Sequence, residues 1–281
     1  MRRARRLATR AFRAERREFL AEGPQAVREA LEAAAAVEVF ATGAAIRRHP
    51  GLASAAASHD VPWHEVTDDV VAAITDTVTP QGVVAVCRFR DVGLPEVLAA
   101  QPPLLVLGAD VRDPGNAGTL IRCADAAGAA AVVLTGHSVD PYNPKAVRAS
   151  VGSVFHVDVV VGQNTTAAVA ACAAGGLQVL AADGAGALDL DDAIDSGQLA
   201  APTAWLFGNE AWGLPDDVVG LADYVVRVPI HGRAESLNLA AAAVVCLYAS
   251  ARAQRSGRRP RPVATNLSPG EVGQPVRQVE D

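Results

Sequence analysis

From residue 104 onward the chain alternates short, near-continuous apolar runs with helix-compatible sequence, the runs falling at 104–109, 130–135, 155–161, 178–182, 203–207 and 224–230. A continuous apolar run, as opposed to an apolar–polar alternation, marks a strand buried on both faces, and the intervening helices supply the cover. The pattern therefore predicts an α/β fold, a parallel sheet with helices on both faces. The first third reads differently. Residues 7–36 are dominated by Ala, Leu, Arg and Glu, with Leu20, Val27 and Leu31 at helical returns, and predict helix broken at Gly23-Pro24. Apolar runs at 37–40 and 83–87, with helical segments between them and a turn at Thr79-Pro80-Gln81-Gly82, make this part a small α/β unit. Residues 91–103 hold Gly93, Pro95, Pro102 and Pro103 and have the composition of a linker. The segment 244–252 closes the last helix, and the Gly-, Pro- and Arg-rich residues 256–281 read as disordered.

Charge divides the chain in another way. Its 281 residues carry a net charge of -6, but residues 1–17 hold eight Arg against one Glu and residues 252–261 hold five Arg, so an acidic body lies between two basic ends. Such ends are common contacts for polyanions. No apolar stretch approaches the roughly 18–20 residues that a bilayer span needs, and the Ala-rich segment 30–36 is interrupted by Glu32, with Glu38 just beyond. Glu15 and Glu22 fall where a signal peptide would be apolar, so a soluble, cytoplasmic protein is expected. Cys87, Cys123, Cys172 and Cys246 lie far apart with no C-x-x-C pair, which favours buried thiols in a reducing compartment over a metal site.

Familiar nucleotide and hydrolase signatures are missing. The first strand of the sheet runs into Asp113-Pro114-Gly115-Asn116-Ala117-Gly118, which lacks the G-x-G-x-x-G spacing of a dinucleotide fold, and Asp183-Gly184-Ala185-Gly186 is a second near-miss. There is no Walker lysine motif, no G-x-S-x-G elbow, and no metal-ligand spacing among the six His. Three polar segments remain that a plain sheet does not require: Asn116-Ala117-Gly118-Thr119-Leu120-Ile121-Arg122; Phe207-Gly208-Asn209-Glu210-Ala211-Trp212-Gly213-Leu214; and Val228-Pro229-Ile230-His231-Gly232-Arg233-Ala234-Glu235-Ser236-Leu237-Asn238. Each follows a predicted parallel strand, at the carboxyl end where ligands bind in such sheets. Taken singly, Arg122 reads as a solvated side chain, Ser236 or Asn238 as a helix cap, and Glu210 as a carboxylate holding backbone N–H groups.

In this order and spacing the three segments resemble the motifs of SpoU-type (TrmH-like) RNA 2′-O-ribose methyltransferases of the SPOUT class, over residues 103–252. The segment Asp140-Pro141-Tyr142-Asn143-Pro144-Lys145-Ala146-Val147-Arg148-Ala149-Ser150-Val151-Gly152 is similar to the family's helix and turn between the second and third strands. Arg17-Glu18-Phe19-Leu20-Ala21-Glu22-Gly23 and Thr79-Pro80-Gln81-Gly82 look like the substrate-binding domain of its ribosomal RNA members. The resemblance implies a C-terminal trefoil knot, S-adenosyl-L-methionine as cofactor, a homodimer, no metal and an RNA partner. Ribosomal RNA leads, transfer RNA is the alternative, and a noncatalytic RNA-binding or assembly protein on the same fold is a further one. A nicotinamide-dependent oxidoreductase is a third class, distinguished by nicotinamide binding. Four parts are implied: an RNA-binding domain at 1–95, a linker at 96–102, the methyltransferase domain at 103–252 and a tail at 253–281.

Carried over by position, Arg122 is the central catalytic residue with Asn116, Glu210, Ser236 and Asn238 around it, while Gly208, Val228, Ile230 and Leu237 line the cofactor pocket. A guanidinium with a pKa above about 12 suits a phosphate anchor better than a base. Val228 and Ile230 stand in place of the more usual Ile and Met, and Trp212 occupies a position where a small or charged residue is commoner. The N-terminal arginines are expected to fold as a helix against RNA.

Overall fold

The computed structural model describes residues 2–256 and resolves the hydrophobic pattern into two sheets. The first contains β1 (Glu18–Glu22), β2 (Ala36–Thr42), β3 (Trp63–Val66) and β4 (Val83–Arg88) in the order β1-β4-β2-β3. Strand β4 runs antiparallel to both β1 and β2, and β3 is a parallel edge strand. The second contains β5 (Leu104–Ala109), β6 (Ala131–Thr135), β7 (Asp158–Gln163), β8 (Gln178–Ala182), β9 (Leu188–Asp189), β10 (Thr203–Phe207) and β11 (Tyr224–Arg227). Its order is β7-β6-β5-β10-β8-β11-β9, and every pairing is parallel. All residues of β5, β6 and β10 are buried, as strands covered by helices on both faces require. No described helix is long and apolar enough to cross a membrane.

Several expectations are corrected. Residues 18–22 are strand instead of helix, because pairing Phe19 with Cys87 and Leu20 with Val86 buries both faces of β1, and tertiary burial outweighs the helix propensity of Glu, Leu and Ala. The run 155–161 begins as a short 3-10 turn, Ser153–Phe155, and its strand starts at Asp158. Strand β11 stops at Arg227, short of Pro229, which has no N–H to give a ladder, and Val228-Pro229-Ile230 is left as loop. The expected linker carries a helix, Leu94–Ala99, whose Leu94 and Val97 are buried against the second sheet. The last helix extends through Leu239–Ser256, past the expected end at 252. Gln254 Nε2 donates to the carbonyls of Pro103 (2.8 Å) and Ala201 (3.1 Å), which anchors that final turn. The rest of the expected tail, 257–281, lies outside the described residues.

The two sheets share one core. Phe19 of β1 packs on Tyr142 and Phe155 from the second half, at centroid distances of 4.7 and 5.7 Å, and Phe89 stacks on Tyr142 at 4.0 Å. Charged residues seal the joint. Arg13, on the short helix Arg10–Arg16, is 2% exposed; its Nη2 lies 2.7 Å from Asp140 Oδ2, and its Nη1 donates to the Leu7 and Ala8 carbonyls at 2.8 Å. Arg17 pairs with Asp91 (2.9 Å), Arg148 with Glu22 (3.4 Å), and His156 bridges Glu29 and Asp125 (2.9 Å each). The N-terminal cluster is thus helical as expected, but Arg3, Arg13 and Arg17 are held by Glu18, Asp140 and Asp91 of the fold itself.

One close approach sets the site's foundation. A β-carbon on Gly118 would lie 2.2 Å from the Ala146 carbonyl oxygen, so the helices Pro114–Ala127 and Pro144–Ser150 meet backbone to backbone only because residue 118 is glycine.

Candidate active site

Where β5 ends, Asp113 caps the helix Pro114–Ala127. Its Oδ1 accepts the Asn116 N–H (2.9 Å), Pro114 occupies the first turn, and Lys145 Nζ donates to Oδ2 (2.8 Å). The Lys145 bond, followed by the Asn116 N–H, holds the Asp113 carboxyl below the usual carboxylate range. This cap fixes Asn116 at the carboxyl edge of the sheet.

After β10 the chain makes a tight loop. Asn209 and Gly213 exchange N–H···O bonds of 2.9 Å, Asn209 Oδ1 accepts the Ala211 N–H (2.8 Å), and Asn209 Nδ2 donates to the Asp110 carbonyl at the end of β5 (2.6 Å). A β-carbon on Gly208 would lie 2.4 Å from the Gly213 carbonyl carbon, so this loop can fold back only on glycine. Glu210 is thereby presented beside Asn116. Its Oε1 accepts Asn116 Nδ2 (2.9 Å), and its two oxygens receive the N–H groups of Asp113 and Arg112 at 3.4 Å.

The third segment completes the line. Asn238 Oδ1 accepts the Ala240 N–H (2.9 Å) at the start of the last helix, while its Nδ2 donates to Asn116 Oδ1 (3.2 Å). Glu210, Asn116 and Asn238, one from each segment, therefore form a continuous hydrogen-bonded line. The plainer readings of Glu210 as a binder of backbone N–H groups and of Asn238 as a cap hold as well, since each side chain does both.

Below this line opens a cleft of about 740 Å3 at the carboxyl ends of β8, β10 and β11. Gly208, Val228, Ile230 and Leu237 line it, as do Glu210, Ser236 and Asn238. Its walls also include Asp183, Asp189 and Asn209, which the sequence reading did not select. In the sequence Asp183 and its glycines carry only a near-miss to a dinucleotide fingerprint, whereas Asp113 is detectable as an Asp-Pro helix start.

Arg122 stands apart. Six residues along a helix from Asn116 means about 9 Å of rise and about 240° of rotation, which turns it to another face. It is exposed and does not line the cleft, and no hydrogen bond or ion pair reaches its guanidinium among the described residues. Its neighbour Cys123 faces the start of the last helix, with Sγ 3.9 Å from the Ala240 carbonyl. Cys87, Cys172 and Cys246 are buried; desolvation raises all three thiols, Cys172 to about 11 and Cys246 to about 12.

A parallel sheet with three polar segments converging on a cleft at its carboxyl edge is the architecture of an α/β protein that takes its ligand at the strand ends. Residues 102–248 match the SpoU rRNA Methylase family and residues 1–85 match the MRM3-like substrate binding domain, so the chain belongs to the SpoU rRNA methylase family. It is similar to the 23S rRNA (guanosine(2553)-2′-O)-methyltransferase RlmP of Bacillus subtilis, 34% identical over 242 residues, 86% of this chain and 92% of that protein. It is also similar to the 23S rRNA (uridine(2479)-2′-O)-methyltransferase of Streptomyces viridochromogenes, 39% identical over 184 residues, 64% of this chain and 63% of that one. Among solved structures, the AdoMet-bound rRNA methyltransferase of Sinorhizobium meliloti superposes with a TM-score of 0.75 at 32% identity, covering 89% of this chain and 93% of that one. The SpoU methyltransferase AviRb of Streptomyces viridochromogenes with AdoMet gives 0.78 at 30% identity, covering 91% and 98%.

Proposed function

We propose that the protein transfers a methyl group from S-adenosyl-L-methionine to a ribose 2′-hydroxyl of ribosomal RNA. The observation that carries this reading is the Glu210–Asn116–Asn238 line beside a cleft lined by apolar Val228, Ile230 and Leu237 together with polar Asp183, Asp189 and Asn209. The cleft suits the cofactor: Gly208 lets the Asn209–Gly213 loop close on its own backbone at the edge of the cleft, and Val228, Ile230 and Leu237 offer apolar contact to an adenine or a methionine chain. When bound, the cofactor supplies an electrophilic methyl group. The chain's own residues then position the acceptor. Glu210 fixes the Asn116 carboxamide, Asn238 fixes its other end, and Ser236 stands beside them, so a ribose entering between them is oriented without rearrangement of the site. Intact polar contacts across all three segments favour an enzyme over a noncatalytic RNA-binding protein.

Arg122, always charged and without a partner among the described residues, holds an RNA phosphate next to the reacting hydroxyl. Because it does not line its own cleft, we assign it to the cleft of a second copy, in a homodimer. The outer side of the last helix, where Val245 and Tyr248 are 40% and 51% exposed, supports a surface for that copy. Functionally the chain divides into a substrate-binding part at 1–95 and a methyltransferase part at 103–252. A C-terminal trefoil knot, an exceptional topology, fits β11 inserted between β8 and β9 and a last helix that returns to pack on Pro114–Ala127. Ribosomal RNA is favoured over transfer RNA by the names of the relatives and by the N-terminal match, and a cytoplasmic location goes with that substrate in this reading.

Incubation with methyl-labelled cofactor and a 23S ribosomal RNA transcript should leave label in one nucleotide whose 3′ phosphodiester resists alkali, as a 2′-O-methyl group requires. Asn116→Ala should lower kcat/KM about 100-fold or more, comparable to losing one preorganised hydrogen-bonding group from an active site. Absence of label in RNA, or an Arg122→Ala protein as fast as wild type, would overturn the respective assignment.

A further inference from the structure

The loop that presents Glu210 also carries Trp212, a residue 59% exposed. The loop does not need it. Its turn is closed by the Asn209–Gly213 bonds, its shape is imposed by Gly208, and it is tied to β5 through Asn209 and the Asp110 carbonyl. The core does not use it either. Trp205, by contrast, is fully buried with its indole N–H donated to Ser250 Oγ (2.9 Å), whereas the Trp212 indole N–H has no hydrogen-bond acceptor among the described residues.

Scattered exposed apolar residues are ordinary, but the setting of this one is specific. The Arg112 guanidinium lies 5.9 Å from the Trp212 ring centroid, at the edge of cation–π range. Arg112 also donates to Asp110 Oδ1 (3.3 Å), and its backbone N–H reaches Glu210 (3.4 Å). An aromatic face and a cation therefore sit next to Glu210, on the loop whose Ala211 and Gly213 border the cleft. The group that faces the ring is the Arg112 guanidinium, so a cation and an aromatic face are presented together.

We propose that Trp212 is a stacking platform for a base flanking the methylated nucleotide, with Arg112 facing the phosphate beside it. The inference rests on the RNA methyltransferase reading and deepens it. A ribose delivered to Asn116 carries its neighbouring nucleotide past this loop, where a fixed, solvent-facing indole can take the π-face of any base. Stacking of this kind tolerates sequence, so Trp212 holds the strand while other contacts choose the site.

The test uses the full chain and a 23S ribosomal RNA transcript. In Trp212→Ala the KM for RNA should rise about five- to 150-fold, the range of one lost base–aromatic stack, with kcat within a few-fold and cofactor Kd unchanged; Trp212→Phe should keep most of the affinity. RNA should quench the tryptophan emission of wild type. In a Trp63→Phe background, which removes the half-buried tryptophan of the substrate-binding part, that quench should vanish in Trp212→Phe, because the remaining Trp205 is buried. An unchanged KM in Trp212→Ala, a persisting quench in Trp212→Phe on that background, an equal loss of cofactor affinity, or a change of oligomeric state would each overturn the proposal. A wild-type protein that transfers no methyl group would break the functional reading instead; the quench, which needs no turnover, would still decide the stacking.

Discussion

The joint between the two sheets and the cleft at the carboxyl edge are both built from charged and amide side chains, yet they spend them in opposite ways. At the joint acids are set against cations: Asp140 holds Arg13, Asp91 holds Arg17, Glu22 holds Arg148, and His156 sits between Asp125 and Glu29. At the cleft Glu210 takes only N–H groups, and no cation among the described residues reaches ion-pair distance of it. Matched charges that pack with aromatic rings stabilise one arrangement of the fold. Glu210 and its amide partners, hydrogen-bonded to one another without a cation, are held ready for something that arrives, while deeper along the cleft wall Asp189 is paired with Arg227 (3.2 Å).

The sharpest way to break that contrast is to remove a buried member of the joint. Arg13→Ala strands Asp140 and frees the Leu7 and Ala8 carbonyls, and loss of one partner of a buried pair costs about 3–5 kcal/mol. For a chain of this size that corresponds to a Tm lower by roughly 6–20 °C. Calorimetric unfolding should show the drop, and cofactor affinity below the transition should be unchanged. A silent Tm with weakened RNA binding would move Arg13 from the fold to the ligand.

A smaller effect separates the remaining arginines. Arg5, Arg10 and Arg16 are exposed, and among the described residues none has an ion-pair partner. If they meet RNA phosphates, replacing all three by Ala should flatten the slope of log affinity against log salt by about 2, at 0.7–0.9 for each phosphate contact. Tm should hardly change. Salt-dependent binding of a ribosomal RNA transcript measures this, and an unaltered slope would make these three a solvated face.

The strands β5, β6, β8 and β10 were legible because a strand buried on both faces must be apolar throughout, and few other elements share that pattern at such length. Strand β1 was not, since Glu18, Ala21 and Glu22 favour helix locally and only pairing with β4 decides otherwise. The three polar segments stood out because each interrupts the apolar rhythm at a strand end. What no linear pattern contained was which side chains would face one another. Asn116 and Arg122 share a segment, but helical rotation sends one to the Glu210 line and the other to the surface. Asp183 reaches the cleft only because β11 is inserted beside β8. The Arg-rich start likewise gave no sign that Arg13 faces inward, because its partner Asp140 is 127 positions away.

The weakest link of the joint offers a titration that the cleft should not share. His156 receives Asp125 from the helix Pro114–Ala127 on one ring nitrogen and Glu29 from the helix Pro24–Glu32 on the other. Asp125 first, then Glu29, raise its pKa above the ordinary value of 6.5. With the folded value raised above the unfolded one, the stabilisation is complete below about pH 6.5 and is lost as pH rises through the folded-state value. Its imidazole is 42% exposed, so solvent screens the pair and the shift in Tm should be well below that of Arg13→Ala. The measurement is Tm against pH from about 5.5 to 9 for wild type and His156→Gln. The two curves should converge toward alkaline pH, with wild type the more stable at the acidic end. Parallel curves would remove His156 from the matched charges of the joint and leave Arg13, Arg17 and Arg148 to hold the two sheets together.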